Sequence, residues 1–470
     1  MSPASAFRAV VSALILGGVL ATLGGAATEG IAPAALLDPA DGFYRTARRA
    51  VPDREASLTL PAVDAETLVI RDERGVPHIF AASDRDAITA LGFVVAQDRL
   101  FQLDFVPRVA SGRLAEILGP GAIRTDRFMR SIGMDLGARR NAARIEASGG
   151  IERNLVEWYC AGVNHYLDSV SPEDLPFEMR LLGYTPDRCS ALQVARVLQF
   201  MTYDLTFRTD EAVYSQIRAG MDPADYAQLY PRHAPINEPI IPAPDTEPED
   251  LSARAEAAAK TLSTPVRVLQ QGFAEVLSAH GIGYEPGRGS NNWAVSGRRS
   301  ATGSPILAGD MHLRVSLPAI WYEAHIVTPE TNLYGVTIPG APGLVEAFNE
   351  HLGWAVTNTG SDQIDHVALK LDPSGTRYQT VDGWRDLELV LDTIHVRGSA
   401  SVVDTLAYSR WGPVLRSDDE GLALRWVGHD ESRTLEAVWR MGHSRTMDDF
   451  EQAVRSWDTP MQNILFADVA

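Results

Sequence analysis

The sequence predicts an α+β protein, with a mostly helical first half and a second half built from antiparallel sheet. Three observations carry this. Apolar residues recur at helical spacing from about residue 84 to residue 230. From Ser290 onward the pattern turns to short runs separated by turns, "NWAVSG", "SPILAGD", "AIWYEAHIV", "NLYGVTI" and "LGWAVTN". Helices gathered before strands, rather than alternating with them, point away from a βαβ array.

In chain order, Arg8 precedes a run of small and apolar residues, Ala9 to Ala27, broken only by Ser12 and Thr22. This predicts a secretory signal cut near "GGAA", or an uncleaved membrane anchor, over residues 1–27. The protein is accordingly expected to be periplasmic or secreted, with membrane anchoring as the alternative. Residues 28–60 are poorly patterned. "ETLVIRDERGVPHIFAA" alternates around Asp-Glu-Arg-Gly and predicts a β-hairpin. Ser83 then caps a helix, and helical patterning runs on to about residue 230. Six prolines between Pro231 and Pro248 predict an exposed connector. The Ala-rich stretch from Ser252 to His280 predicts a helix broken at Pro265, followed by a flexible "GIGYEPGRG".

Composition narrows the function. The chain has 470 residues, 45% of them hydrophobic, enough for two domains or one large layered one. A net charge of -19 argues against a nucleic-acid partner, because phosphate binding relies on basic patches. Only two lysines occur, Lys260 and Lys370, and neither lies in a P-loop. Cys160 and Cys189 make no disulfide framework, and their helix-like surroundings disfavour a bridge. The HExxH, CxxC and EF-hand patterns of metal sites are missing from the sequence, as is the GxSxG elbow of a conventional Ser-His-Asp hydrolase.

The stretch "GRGSNNWAVSGRRSATGSPILAGDMHL", from Gly287, resembles the start of a protein more than its middle. If the Gly289–Ser290 bond is cut, Ser290 carries a hydroxyl nucleophile and a free α-amine on one residue. An α-amine titrates at about 7.7–8.0, close to working pH, and can accept the hydroxyl proton without a His/Asp pair. On spacing alone, a serine opening a strand after a glycine turn is favoured over this catalytic reading.

Resemblance reverses that preference. "IRDERGVPHIFAASDRDAITALGFVVAQDRLFQLD" and "SGRLAEILG", followed in order by "GSNNWAVSG", "PILAGDMHL", "PGAPGLV", "GWAVTNTGSDQID" and "QNILFAD", resemble the penicillin acylase family of N-terminal-nucleophile hydrolases, from about Val69 onward. The resemblance implies a four-layer αββα fold with two facing antiparallel sheets. It implies a precursor that cuts itself into two subunits and hydrolyses a small-molecule acyl amide: a β-lactam side chain, an acyl-homoserine lactone or a lipopeptide. On this reading residues 28–250 form the small subunit, 251–289 a spacer, and 290–470 the first part of the large subunit. Family members continue past the asparagine motif, so further strands are expected beyond "ADVA", and a non-catalytic exported remnant of the fold is the alternative.

Carried over by position, Ser290 matches the nucleophile and His312 the residue that orients it. Asn463 matches the side-chain oxyanion donor and Asn358 the peptide N–H donor. Glu178, Asp362, Ile364 (through its carbonyl) and Asp365 match a structural calcium site, with hard oxygen ligands of the kind Ca2+ takes. No organic cofactor is implied. Leu313, Glu346 and Val356 match acyl-pocket positions. Two readings of Glu346 stay open: facing the pocket and selecting a polar acyl end, or, favoured, pointing away into solvent. Cys189 stands where the family commonly has Trp.

Overall fold

β1 (Leu68–Arg71) and β2 (Pro77–Phe80) form the expected hairpin, in register from Leu68↔Phe80 to Arg71↔Pro77. The Asp72 carboxylate closes its turn by accepting from the N–H groups of Arg74 and Val76 at 2.8 and 2.9 Å. In this computed structural model the described residues are 3–23, 38, 42–49, 55–231, 263–280, 289–417 and 420–469. The Pro-rich connector and the stretch 251–262 lie outside them. Helix α1 (Pro3–Leu23) covers most of the anticipated signal, and its side chains from Val11 to Ala21 are exposed. Among the described residues no helix is long and apolar enough to cross a membrane.

The helical part is built on α2 (Asp84–Ala110), whose N-cap Ser83 accepts from the Asp86 N–H as expected. Then follow α3 (Met134–Ser148), α4 (Ile151–Ser169), α5 (Ala191–Thr206) and α6 (Asp210–Gly220). α4 lies against α2 so closely that a Cβ on Gly162 would fall 1.9 Å from the Thr89 carbonyl oxygen. The disfavoured disulfide forms: Cys160 of α4 is bonded to Cys189. The reason is local. Asn164, one helical turn after Cys160, accepts from the Cys189 N–H at 2.9 Å and donates to its carbonyl at 3.0 Å, which holds the incoming loop against the helix.

The second half is sheet, and the α+β class stands. β3 (Asn291–Val295) pairs antiparallel with β4 (Ile306–Asp310). β5 (Tyr322–Val327), β6 (Asn332–Thr337), β7 (Glu346–Phe348), β8 (Leu352–Asn358) and the late β16 (Gln462–Asp468) join the first hairpin in a seven-stranded sheet, β1-β2-β5-β6-β7-β8-β16. β2 and β5 run parallel and the other neighbours antiparallel. One core joins Trp354 and Val356 of this sheet to α2, α4, α8 (Thr434–Gly442) and α9 (Met447–Val454). The β3–β4 hairpin packs on the opposite side, where a Cβ on Gly309 would lie 2.8 Å from that of Ala355.

β9 (Ile364–Lys370), β12 (Glu388–Ile394), β13 (Val402–Ser409), β14 (Gly412–Ser417) and β15 (Glu420–Trp426) form a second sheet, β12-β13-β14-β15-β9. β10 (Arg377–Thr380) and β11 (Gly383–Asp386) pair as a separate hairpin. A second core ties this sheet to the helices, and the fully buried Trp426 donates from its indole N–H to the Thr206 hydroxyl at 2.8 Å.

Helix α7 (Ser263–His280) belongs to that second core. Pro265 does not break it but sits in its first turn, where the missing N–H has no helical partner to lose. Val266, Leu269 and Val276 are buried, and the Phe273 ring stacks on Phe207 at 6.1 Å. This part of the anticipated spacer is therefore packed like core. Leu269→Ala should destabilise the chain by about 2–5 kcal/mol in denaturant titration. A loss under about 1 kcal/mol would mean the helix is only laid on the surface.

Candidate active site

Antiparallel pairing places the start of one strand beside the end of the next. The register Asn291↔Asp310 sets Ser290, just before β3, beside the residues that follow β4. The His312 N–H donates to Ser290 Oγ at 3.2 Å. In the neighbouring sheet, Gln462↔Asn358 puts the first residue of β16 against the last of β8. These strand ends converge on a cavity, open to solvent, which Ser290, Met311, Leu313, Val356, Asn358 and Gln462 line from the strand side. Leu198, Met201 and Leu205 of α5 and Leu435 and Val438 of α8 line the helical side. Gly289 has open space around it: a Cβ added there would meet nothing within 4 Å.

His312 meets Ser290 through its peptide group. Its ring is turned to Asp310, with Nε2 at 2.9 Å from Oδ2. A Ser-His-Asp relay is therefore not formed, although all three residue types are adjacent. Asn358 anchors its side chain by donating to the Leu205 carbonyl at 2.8 Å, tying the end of β8 to α5. Asn463 lies on the opposite face of β16 from Gln462, donates to Thr357 Oγ1 at 3.3 Å and is outside the cavity lining.

Glu346 takes neither of its two expected places. It is not a cavity-lining residue, and it is half-buried rather than solvated. One carboxylate oxygen accepts from the Val356 N–H at 3.1 Å, and the other occupies the space beside Gly309, 1.6 Å from where a Cβ would be. Gly309 has no side chain because this carboxylate fills the position. Burial raises the Glu346 pKa above the ordinary carboxylate range, and the Asp310 carboxylate raises it further.

The four residues matched to a calcium site do not converge. Glu178, in the short helix Phe177–Leu182, stands near Tyr184. The helical-half carboxylate beside Asp362 is instead Glu211 of α6, which also pairs with His366 Nδ1 at 2.9 Å. Burial raises the Asp362 pKa, and the Glu211 and Asp365 carboxylates add to it. Among the described residues no three His, Cys, Asp or Glu side chains are grouped closely enough to hold a metal ion. The donor set does not fit the ion, and no step is derived through one.

Several cavity residues escape a motif reading. Leu198, Met201 and Leu205 recur at helical spacing, but such a stripe is also what an ordinary core face looks like. Arg144 lies in no motif, Trp321 only in the strand run "AIWYEAHIV", and Gln462 opens the motif "QNILFAD" without being marked out in it.

Residues 66–470 match the family model described as penicillin amidase. The chain is 32% identical over 429 residues to penicillin acylase 2 proenzyme of Pseudomonas sp. strain SE83, covering 90% of this chain and 53% of that protein. It is 30% identical over 419 residues to acyl-homoserine lactone acylase QuiP of Pseudomonas aeruginosa, covering 85% and 47%. The chain thus spans about half the length of these relatives. Among solved structures, thermostable penicillin G acylase from Alcaligenes faecalis aligns at 29% identity, covering 38% of this chain and 98% of that one, with a TM-score of 0.33.

Because Glu346 is turned away from the cavity, Glu346→Gln should leave the kcat/KM ratio between aliphatic and aromatic acyl amides within about twofold of wild type. A larger change would return this side chain to the pocket. Its raised pKa also gives a sign for stability. The protonated form is favoured in the fold, so wild type should lose stability relative to Glu346→Gln as pH rises through that pKa, measured by chemical denaturation.

Proposed function

Because the chain belongs to the penicillin amidase family, we propose that it supplies the nucleophile and acyl pocket of an exported amide hydrolase made as a self-cutting precursor. The observation that carries this reading is the position of Ser290: just ahead of strand β3, beside the exposed Gly289, and in the wall of the cavity where the strand ends meet helix α5. Acyl-homoserine lactones and β-lactam side-chain amides are the substrate classes that the names of its relatives suggest.

In the precursor step, Ser290 Oγ attacks the Gly289 carbonyl carbon. The C–N bond breaks, and the proton leaving Oγ ends on the new amine. Water then hydrolyses the ester and frees the chain end. In turnover, the α-amine takes the Oγ proton as Oγ attacks the substrate amide carbon. The proton passes to the departing amine, leaving an acyl ester on Ser290. Water attacks that ester, giving its proton back through the α-amine, and the carboxylic acid leaves.

Negative charge on the former carbonyl oxygen needs donors. The Asn358 peptide N–H and the Asn463 amide are the positions the family resemblance offers, and losing one such donor typically costs about 2.7–4 kcal/mol of barrier. Asn463 has to turn from Thr357 to reach that role. The packing of α7 into the second core supports a reading in which residues 263–280 stay with the small subunit and any further trimming of the spacer spares this helix.

Intact mass and N-terminal sequencing test the reading. Wild-type protein should yield a fragment beginning at Ser290, whereas Ser290→Ala should remain one chain. Cleavage at the same bond in the alanine variant would mean that another group makes the cut.

A further inference from the structure

Residues ahead of Ser290 and residues after it meet inside the seven-stranded sheet, where β2 runs parallel to β5 with His78 opposite His325. The two imidazole rings touch across this joint. His78 Nδ1 lies 2.9 Å from His325 Nδ1, and both residues are half-buried. A ring nitrogen either donates or accepts, so the placement of protons decides what this contact does. The neighbours fix that placement. Asn332 donates from Nδ2 to Glu350 Oε1 at 3.2 Å, which turns its Oδ1 to His325 Nε2 at 2.8 Å. An amide oxygen only accepts, so His325 carries its proton on Nε2. His325 Nδ1 is then the acceptor of the joint and His78 Nδ1–H its donor.

Added protons have two places to go, with opposite results. His78 Nε2 faces the Asp72 carboxylate at 3.7 Å, so a proton there gains an opposite charge and keeps the bond between the rings. A proton on His325 Nδ1 takes the lone pair that accepts that bond, and with the first in place it sets two cations in contact. The other charged groups on this side are engaged with one another. Arg74 donates to Glu323 Oε1 at 3.2 Å and to the Tyr334 hydroxyl at 2.8 Å, and that hydroxyl donates to Glu323 at 2.5 Å. Asp98 of α2 binds Arg71 and Tyr322, which by strand alternation point to the other face of the sheet. Among the described residues Asp72 is the one carboxylate within ion-pair distance of either ring.

We propose that His78 and His325 form an acid-sensitive latch between β2 and β5, which holds with one added proton and releases when a second arrives at His325 Nδ1. Histidine changes charge between about pH 5 and 8, so the release falls in a range that an exported protein meets. The sign follows from the proton count. Separated strands take up both protons and the joined pair only one, so acid favours opening. The latch needs only the two strands and not the cut at Ser290, so the uncut Ser290→Ala chain should show it as well.

The test reads the opening of the β2–β5 pairing by hydrogen exchange of its backbone amides, corrected for the intrinsic exchange rate at each pH, on the full chain. Wild type, His78→Ala, His325→Ala and the double variant make a cycle that cancels every other titrating group. The two rings should be coupled by about tenfold in the opening constant at about pH 8, and the coupling should vanish or change sign at about pH 5. His325→Asn places an oxygen that accepts from His78 and takes no proton, so it should lose the extra opening at about pH 5. Nitrogen-15 NMR of the wild-type imidazoles needs no variant to fold. At about pH 8 it should find the proton of His325 on Nε2 and that of His78 on Nδ1, with His78 gaining charge first on acidification. A coupling that is the same at both pH values, no coupling at either, or a His325 proton on Nδ1 at about pH 8 would overturn the latch, and each would leave the acylase reading untouched.

Discussion

The pairing of β3 with β4 is the constraint on which the site depends. Its register fixes Ser290 opposite the residues leaving β4, so the His312 peptide reaches Ser290 Oγ without help from any side chain. A one-residue slip would turn every side chain of β3 to the other face and carry Ser290 out of the cavity wall. Glu346 pins that register from beneath. Its carboxylate fills the place of a missing side chain at Gly309 and is held by the Val356 N–H of β8. The hairpin and the seven-stranded sheet are therefore locked at the level of single atoms, close to where the reaction is proposed.

The helical half is more than a cover. α5 supplies the cavity with Leu198, Met201 and Leu205, receives the Asn358 side chain at its last turn, and hands Thr206 to Trp426 in the second sheet. One helix thus touches the cavity, the end of β8 and the second core. The disulfide between Cys160 and Cys189 lies just before α5 and fixes its entry against α4. α7 closes the same core from the far side of the chain's connector. A cut at Ser290 would divide the covalent chain but not these contacts.

Much of this is legible in the sequence, for identifiable reasons. The first hairpin, the Ser83 cap and strands β3 to β8 have strong local signatures: turn residues, a capping hydroxyl, and period-two alternation. The convergence of Ser290, Leu313, Val356 and Asn358 also follows from motif order. What stays hidden is set by tertiary contacts. The Cys160–Cys189 bridge depends on Asn164 gripping a loop, Pro265 opens its helix instead of ending it, and Glu346 is placed by the absence of a side chain on Gly309. Glu178 is not the acid that meets Asp362, because that carboxylate arrives from α6, at Glu211, through packing that no linear spacing encodes. Arg144 lies far from every motif and joins the cavity only when the helices close over it.

The central claim is that the Ser290 hydroxyl is the group that forms the covalent acyl bond. Treating processed protein with a sulfonyl fluoride and mapping the adduct by peptide mass spectrometry measures this directly. The account predicts one sulfonylated residue, Ser290, with activity lost in proportion to labelling. Full labelling at Ser290 with amide hydrolysis undiminished, or inactivation with the adduct on another residue, would contradict it.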